Sequence, residues 1–142
     1  MNSSPRAEDR PPLVLVADDE QNVRRLIELS LQHAGFRVRA VESAALAVYE
    51  AITLVPEVIL LNVRMPGSVD GYEACRLIKS HPATSAVPVV FLSAYADLAS
   101  SAKGLSVGAD SYLTKPFRPA ALAEHIWATI AEHEPRGRAG GA

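Results

Sequence analysis

Cys75 is the chain's only cysteine, so no disulfide can form within it and a reducing compartment suits it. No apolar run approaches the roughly 20 residues that a bilayer-spanning helix needs. The opening stretch, Met1 to Pro12, lacks the basic-then-apolar order of a secretory leader. An excess of one charge is missing as well. Fourteen basic against sixteen acidic residues leave −2, with no positive surplus to draw in nucleic acid. Aromatics are sparse at 6%, yet 49% of the 142 residues are hydrophobic and 21% charged. That balance excludes a disordered chain, and the length is that of one domain. The expectation is a single soluble, cytoplasmic domain.

The apolar pattern switches repeatedly between two periods. Leu13 to Ala17 is a continuous apolar run, short enough for a strand buried on both faces. From Gln21, residues Val23, Leu26, Ile27, Leu31 and Ala34 fall on one helical stripe, and Gly35 closes it. Phe36 to Ala40 alternates strictly, which predicts a half-exposed strand near a sheet edge. Ser43 caps a second helix through Leu46, Val48 and Ile52, and Val58 to Leu61 is another buried strand. A turn-rich stretch, Met65 to Gly71, precedes a helix over Tyr72 to Ser80. Val87 to Leu92 reads as a strand with Pro88 among its first residues. A weaker helix is predicted over Leu98 to Leu105, then a short strand at Tyr112 to Thr114. Pro119 opens a last helix whose buried stripe is Leu122, Ile126 and Ile130. Residues 1–12 are expected to be a flexible lead-in, 13–133 the domain, and 134–142 a disordered tail.

Five strands alternating with five helices predict an α/β fold: a parallel sheet covered on both faces, in spatial order 2-1-3-4-5. In such a sheet the functional crevice lies beyond the carboxyl ends of the strands, where strand order reverses. The residues there are Asp18, Asp19 and Glu20 after the first strand, Asn62 at the end of the third, Ser93 after the fourth, and Lys115 with Pro116 after the fifth. Two adjacent carboxylates facing a lysine, with a hydroxyl nearby, suit a hard divalent cation and a phosphoryl-like anion. Alone, the Asp pair would read as a helix cap beside a solvated neighbour. Grouped with Ser93 and Lys115, it reads as a site.

Three segments carry a family resemblance: Val16-Ala17-Asp18-Asp19-Glu20, Met65-Pro66-Gly67 followed by Asp70-Gly71-Tyr72-Glu73, and Gly108 to Phe117. Together they resemble response-regulator receiver domains, the phosphorylatable modules of two-component signalling. The resemblance implies a flavodoxin-like doubly wound sheet. It also implies that Asp18 and Asp19 hold Mg²⁺ with help from the backbone carbonyl of Arg64, and that Ser93 and Lys115 receive the phosphoryl oxygens. Tyr112 becomes the aromatic that reports occupancy, and the Lys115-Pro116 bond is expected cis.

One position departs from the family. Receivers accept the phosphoryl group on an aspartate at the end of the third strand, where Leu60-Leu61-Asn62-Val63-Arg64 places an asparagine. A carboxylate oxygen can form an acyl phosphate; a neutral amide is a far poorer nucleophile. Mg²⁺, to which Asn62 would contribute an amide oxygen, should be held more weakly after loss of one carboxylate. The amide also brings a donor: it can give a hydrogen bond to a neighbouring carboxylate while its oxygen accepts from Lys115. The reading is an atypical, stand-alone receiver, not an enzyme, that signals through protein contacts without phosphorylation at Asn62. Three alternatives stay open. Asn62 is an engineered replacement in an ordinary Mg²⁺-dependent receiver, it reverts to aspartate by slow deamidation, or phosphorylation moves to Asp18 or Asp19.

No output domain follows the last helix in this sequence, so partners are expected to be proteins, a sensor kinase or a downstream effector, with no nucleic acid and no membrane. The resemblance implies contact, including homodimer formation, through the fourth helix, fifth strand and fifth helix. Trp127 lies about 100° around the wheel from the centre of the buried stripe of its helix. It is either an interface anchor or a cover for the core edge. His33, His81, His125 and His133 lack ligand spacing, and Cys75 reads as a small core residue.

Overall fold

The computed structural model describes residues 10–94, 103 and 106–133. Its elements are β1 (Leu13–Ala17), α1 (Gln21–His33), β2 (Arg37–Val41), α2 (Ala44–Leu54), β3 (Val58–Asn62), α3 (Gly71–Ser80), β4 (Val89–Ser93), β5 (Ser111–Thr114) and α4 (Pro119–Glu132). The helix expected over Leu98 to Leu105 lies almost wholly outside the described residues, so four helices are described where five were expected. The expected tail, and the lead-in up to residue 9, also fall outside them.

All strand pairs are parallel, in the order β2-β1-β3-β4-β5. The continuous apolar runs of β1, β3 and β4 follow from burial on both faces. On one face Leu15, Ile59, Leu61 and Phe91 pack with Ala44, Ala47 and Ala51 of α2 and Ala74, Cys75 and Ile78 of α3. On the other, Val14, Val16, Leu60, Val90 and Leu92 pack with Ile27 and Leu31 of α1 and Leu122 and Ile126 of α4. The edge strand β2 keeps Arg37 and Arg39 exposed, and Arg39 pairs with Glu50 of α2, Nε to Oε1 2.9 Å.

Helix ends follow local chemistry. Ser43 and Asp70 cap α2 and α3 by accepting from Leu46 N (3.1 Å) and Glu73 N (2.9 Å). Gly35 follows α1 at φ +100, a conformation a side chain disfavours.

Several sequence expectations shift. Leu26 was placed on the buried stripe of α1, but it is exposed, because Ile27 and Leu31 already fill the contact with the sheet. Leu46 is likewise exposed, and the buried face of α2 is made of alanines, which let the helix lie close to the strands. In α4 Thr129 is buried and Ile130 only partly so; the Thr129 hydroxyl is satisfied by the His125 carbonyl at 2.8 Å. Pro88 precedes β4 rather than opening it, leaving its carbonyl to accept from Ile59 N at 3.0 Å. Phe36 precedes β2 and is buried.

Candidate functional site

The parallel sheet brings the ends of β1, β3, β4 and β5 to one edge, and with them Asp18, Asn62, Ser93 and Lys115. Asp18 follows β1 and is fully buried. One of its carboxylate oxygens, Oδ1, accepts from Glu20 N at 2.9 Å, shaping the turn into α1. The other, Oδ2, accepts from Lys115 Nζ at 3.1 Å. Glu20 itself begins α1 without a side-chain cap, so Asp18 is committed to the turn and the lysine rather than to capping the helix. Asp19 is exposed.

Asn62, the last residue of β3, is the hinge of the cluster. Its Oδ1 accepts from Lys115 Nζ at 3.3 Å. Its Nδ2 donates to Asp19 Oδ1 at 3.2 Å and to the Arg64 carbonyl at 2.9 Å. The amide has one orientation that works. Lysine can only donate and a carbonyl can only accept, so turning the amide over would set donor against donor and acceptor against acceptor. No buried side-chain nitrogen or oxygen among the described residues lacks a partner. The cluster is satisfied by side-chain and backbone groups of the chain itself.

The remaining predicted residues surround it. Ser93 is buried at the end of β4, and its carbonyl accepts from Lys115 N at 2.7 Å, which sets the exit of β5 beside β4. The Lys115-Pro116 bond is cis. Tyr112 on β5 is half-buried and meets Phe91 edge-on at 5.9 Å, and Phe91 in turn meets Tyr72 at 5.4 Å. Trp127 is 41% exposed, with its ring 4.3 Å from that of Phe36 at the α1–β2 turn. It therefore covers a core edge and presents apolar surface at once.

Two contributors escaped the sequence reading. Arg24, one turn into α1, donates from Nη1 to the Asp18 carbonyl at 2.8 Å. Gly71 opens α3 against the backbone of β3, with its N–H on the Val63 carbonyl at 3.0 Å. A Cβ there would come within 2.4 Å of the Asn62 carbonyl oxygen and 2.8 Å of that of Val63. The Asp70-Gly71 pair was visible in the sequence as a turn signal, but not as a close approach to the site.

The family model of the response regulator receiver domain matches residues 14–127. The chain belongs to that family. Among curated relatives of this receiver is the transcriptional regulatory protein GltR of Pseudomonas aeruginosa, 38% identical over 82% of this chain and 48% of its own length. Another is protein PilG of the same organism, 36% identical over 86% of this chain and 87% of PilG. The chain thus spans about half the length of GltR and of the other transcriptional regulators it matches. Among solved structures, the receiver domain of the sensor histidine kinase PA1611 from Pseudomonas aeruginosa superposes with a TM-score of 0.79 at 30% identity, over 85% of this chain and 98% of that one. Vibrio cholerae CheY4 gives 0.80 at 26% identity, over 84% and 98%. The sheet and its flavodoxin-like order agree with these relatives.

The PA1611 receiver carries a magnesium ion coordinated in its active-site cleft. The residues of this receiver do not fit such an ion as they stand. Two oxygens that the resemblance assigns to the metal, Asp19 Oδ1 and the Arg64 carbonyl, converge on the Asn62 NH₂ group. Hydrogens of a donor point where a cation's charge would lie. Among the described residues no group of three or more His, Cys, Asp or Glu side chains is placed to hold a metal, and no helix is long and apolar enough to cross a membrane.

Proposed function

We propose that this receiver signals through protein contacts without aspartyl phosphorylation at residue 62, with Mg²⁺ held weakly at most. A single observation carries the reading: the Asn62 amide donates to Asp19 and Arg64 and accepts from Lys115. An acceptor carboxylate would need a cation to offset its repulsion from Asp18 and Asp19. The amide needs none. It also lacks the anionic oxygen that attacks phosphorus and would leave no stable adduct. The resting arrangement of the cluster is therefore set by the chain's own hydrogen bonds, and its output is a binding event with a sensor kinase or an effector protein in the cytoplasm. On this reading the domain is a binding module and not a phosphotransfer catalyst.

The test is treatment of the protein and of Asn62→Asp with acetyl phosphate and Mg²⁺, followed by intact-mass measurement and peptide mapping. The parent should stay at its own mass while Asn62→Asp gains a labile phosphoryl group. A phosphoryl group on the parent's residue 62 would overturn the proposal.

A further inference from the structure

At the opposite edge of the sheet, where β4 and β5 begin, a second cluster has formed around Asp110. Its Oδ2 accepts from Val89 N at 2.8 Å and pairs with Lys79 Nζ at 3.0 Å. Lys79, from the last turn of α3, also donates to the Val87 carbonyl at 2.7 Å. The other carboxylate oxygen, Oδ1, lies 3.2 Å from His133 Nε2, at the end of α4. His133 Nδ1 lies 2.9 Å from the Thr129 carbonyl oxygen.

Both ring nitrogens of His133 therefore face acceptors. A carbonyl brings no proton, and neither does a carboxylate. Neutral imidazole has one N–H and one lone pair, so it can make only one of the two contacts; the imidazolium makes both.

We propose that His133 is a proton-operated clasp: when protonated it holds both the Asp110 carboxylate at the head of β5 and the Thr129 carbonyl within α4, and loss of the proton releases one of the two. The charged groups facing the ring are Asp110 from the start of β5 and, through the same carboxylate, Lys79 from α3. On α4 itself Glu132 is the adjoining residue, and His125 stands two turns earlier. His125 makes the comparison sharp, because its Nε2 lies 2.8 Å from Ser111 Oγ. A hydroxyl can donate or accept, so His125 is satisfied in either state. A partner that prefers the tied form of α4 would bind more tightly at lower pH, by linkage.

The test is backbone amide exchange in the full chain, read at the N–H groups of the last turn of α4 and corrected for intrinsic rates. Between about pH 5.5 and 8 the parent should lose protection by about tenfold, the loss expected for one hydrogen bond to a charged group. His133→Gln, which cannot gain a proton, should show no such change with pH, and His125→Gln should behave as the parent. Protection in the parent that does not vary with pH would overturn the proposal. So would the same variation in His133→Gln.

Discussion

The two edges of the sheet carry the same motif with different third partners. At the carboxyl ends, Asp18 meets Lys115 and the lysine meets Asn62. At the amino ends, Asp110 meets Lys79 and the carboxylate meets His133. Asp18 is fully buried while the Asp110 side chain is 23% exposed. In the first cluster the third partner is an amide, which holds the same protons at every physiological pH. In the second it is an imidazole, the one side chain whose proton comes and goes near neutrality. A carboxylate–lysine pair alone thus says little about what a cluster does. The group completing it decides whether the cluster is fixed or responsive.

The largest perturbation of this comparison should come from Gly71→Ala. Its Cβ would press on the Asn62 and Val63 carbonyls at the end of β3, and the Val63 carbonyl is the one that accepts the Gly71 N–H. A loss of about 3–4 kcal/mol in urea unfolding is expected, well above the ordinary range for a surface helix position. A loss under about 1 kcal/mol would mean that α3 is free to shift away from the site.

Next in size is the contrast between the two lysines. Lys115→Met strips the fully buried Asp18 of its counter-ion and should cost about 3 kcal/mol, most of it recovered in the double variant with Asp18→Asn. Lys79→Met should cost less, about 1 kcal/mol, since Asp110 keeps Val89 N and His133 and is partly hydrated. Equal losses in the two variants would erase the difference drawn here between the edges.

The effect smallest near neutral pH concerns Cys75, which lies within reach of the second cluster. Burial pushes its thiol up from 9.0 to about 11, while Lys79 and Asp110 pull in opposite directions. The folded protein therefore keeps a proton that the unfolded chain releases between these values. Stability from this source is intact below pH 9 and falls as pH rises through the window, by about 1.4 kcal/mol per unit. Urea unfolding across that range, compared with Cys75→Ala, isolates the term. Alkylation of the folded protein near neutral pH should be slow, because the thiolate is scarce.

Much of the fold was legible in the residues themselves. Burial on both faces leaves a strand no choice but a continuous apolar run, so β1, β3 and β4 announced themselves. The strict alternation around Arg37 and Arg39 marked the sheet edge. The donor and acceptor pattern of Asn62 followed from the chemistry of an amide placed between a lysine and carboxylates. Helical period was less decisive: it allowed Leu26 into the stripe of α1, though neighbouring Ile27 occupies the contact.

Whether a segment becomes strand or helix depends on neighbours in the chain, and the sequence by itself determined that, along with the identity of the groups at the strand ends. Lys79, Asp110 and His133 are separated by long stretches of chain, and no local pattern links them; only the docking of α3 and α4 onto opposite faces of the sheet, at the end where β5 begins, brought them together. The same holds for the closeness of Gly71 to the Asn62 carbonyl. Contacts of that kind depend on how elements dock in three dimensions, and hydrogen bonds a few ångströms long leave no trace in residue spacing.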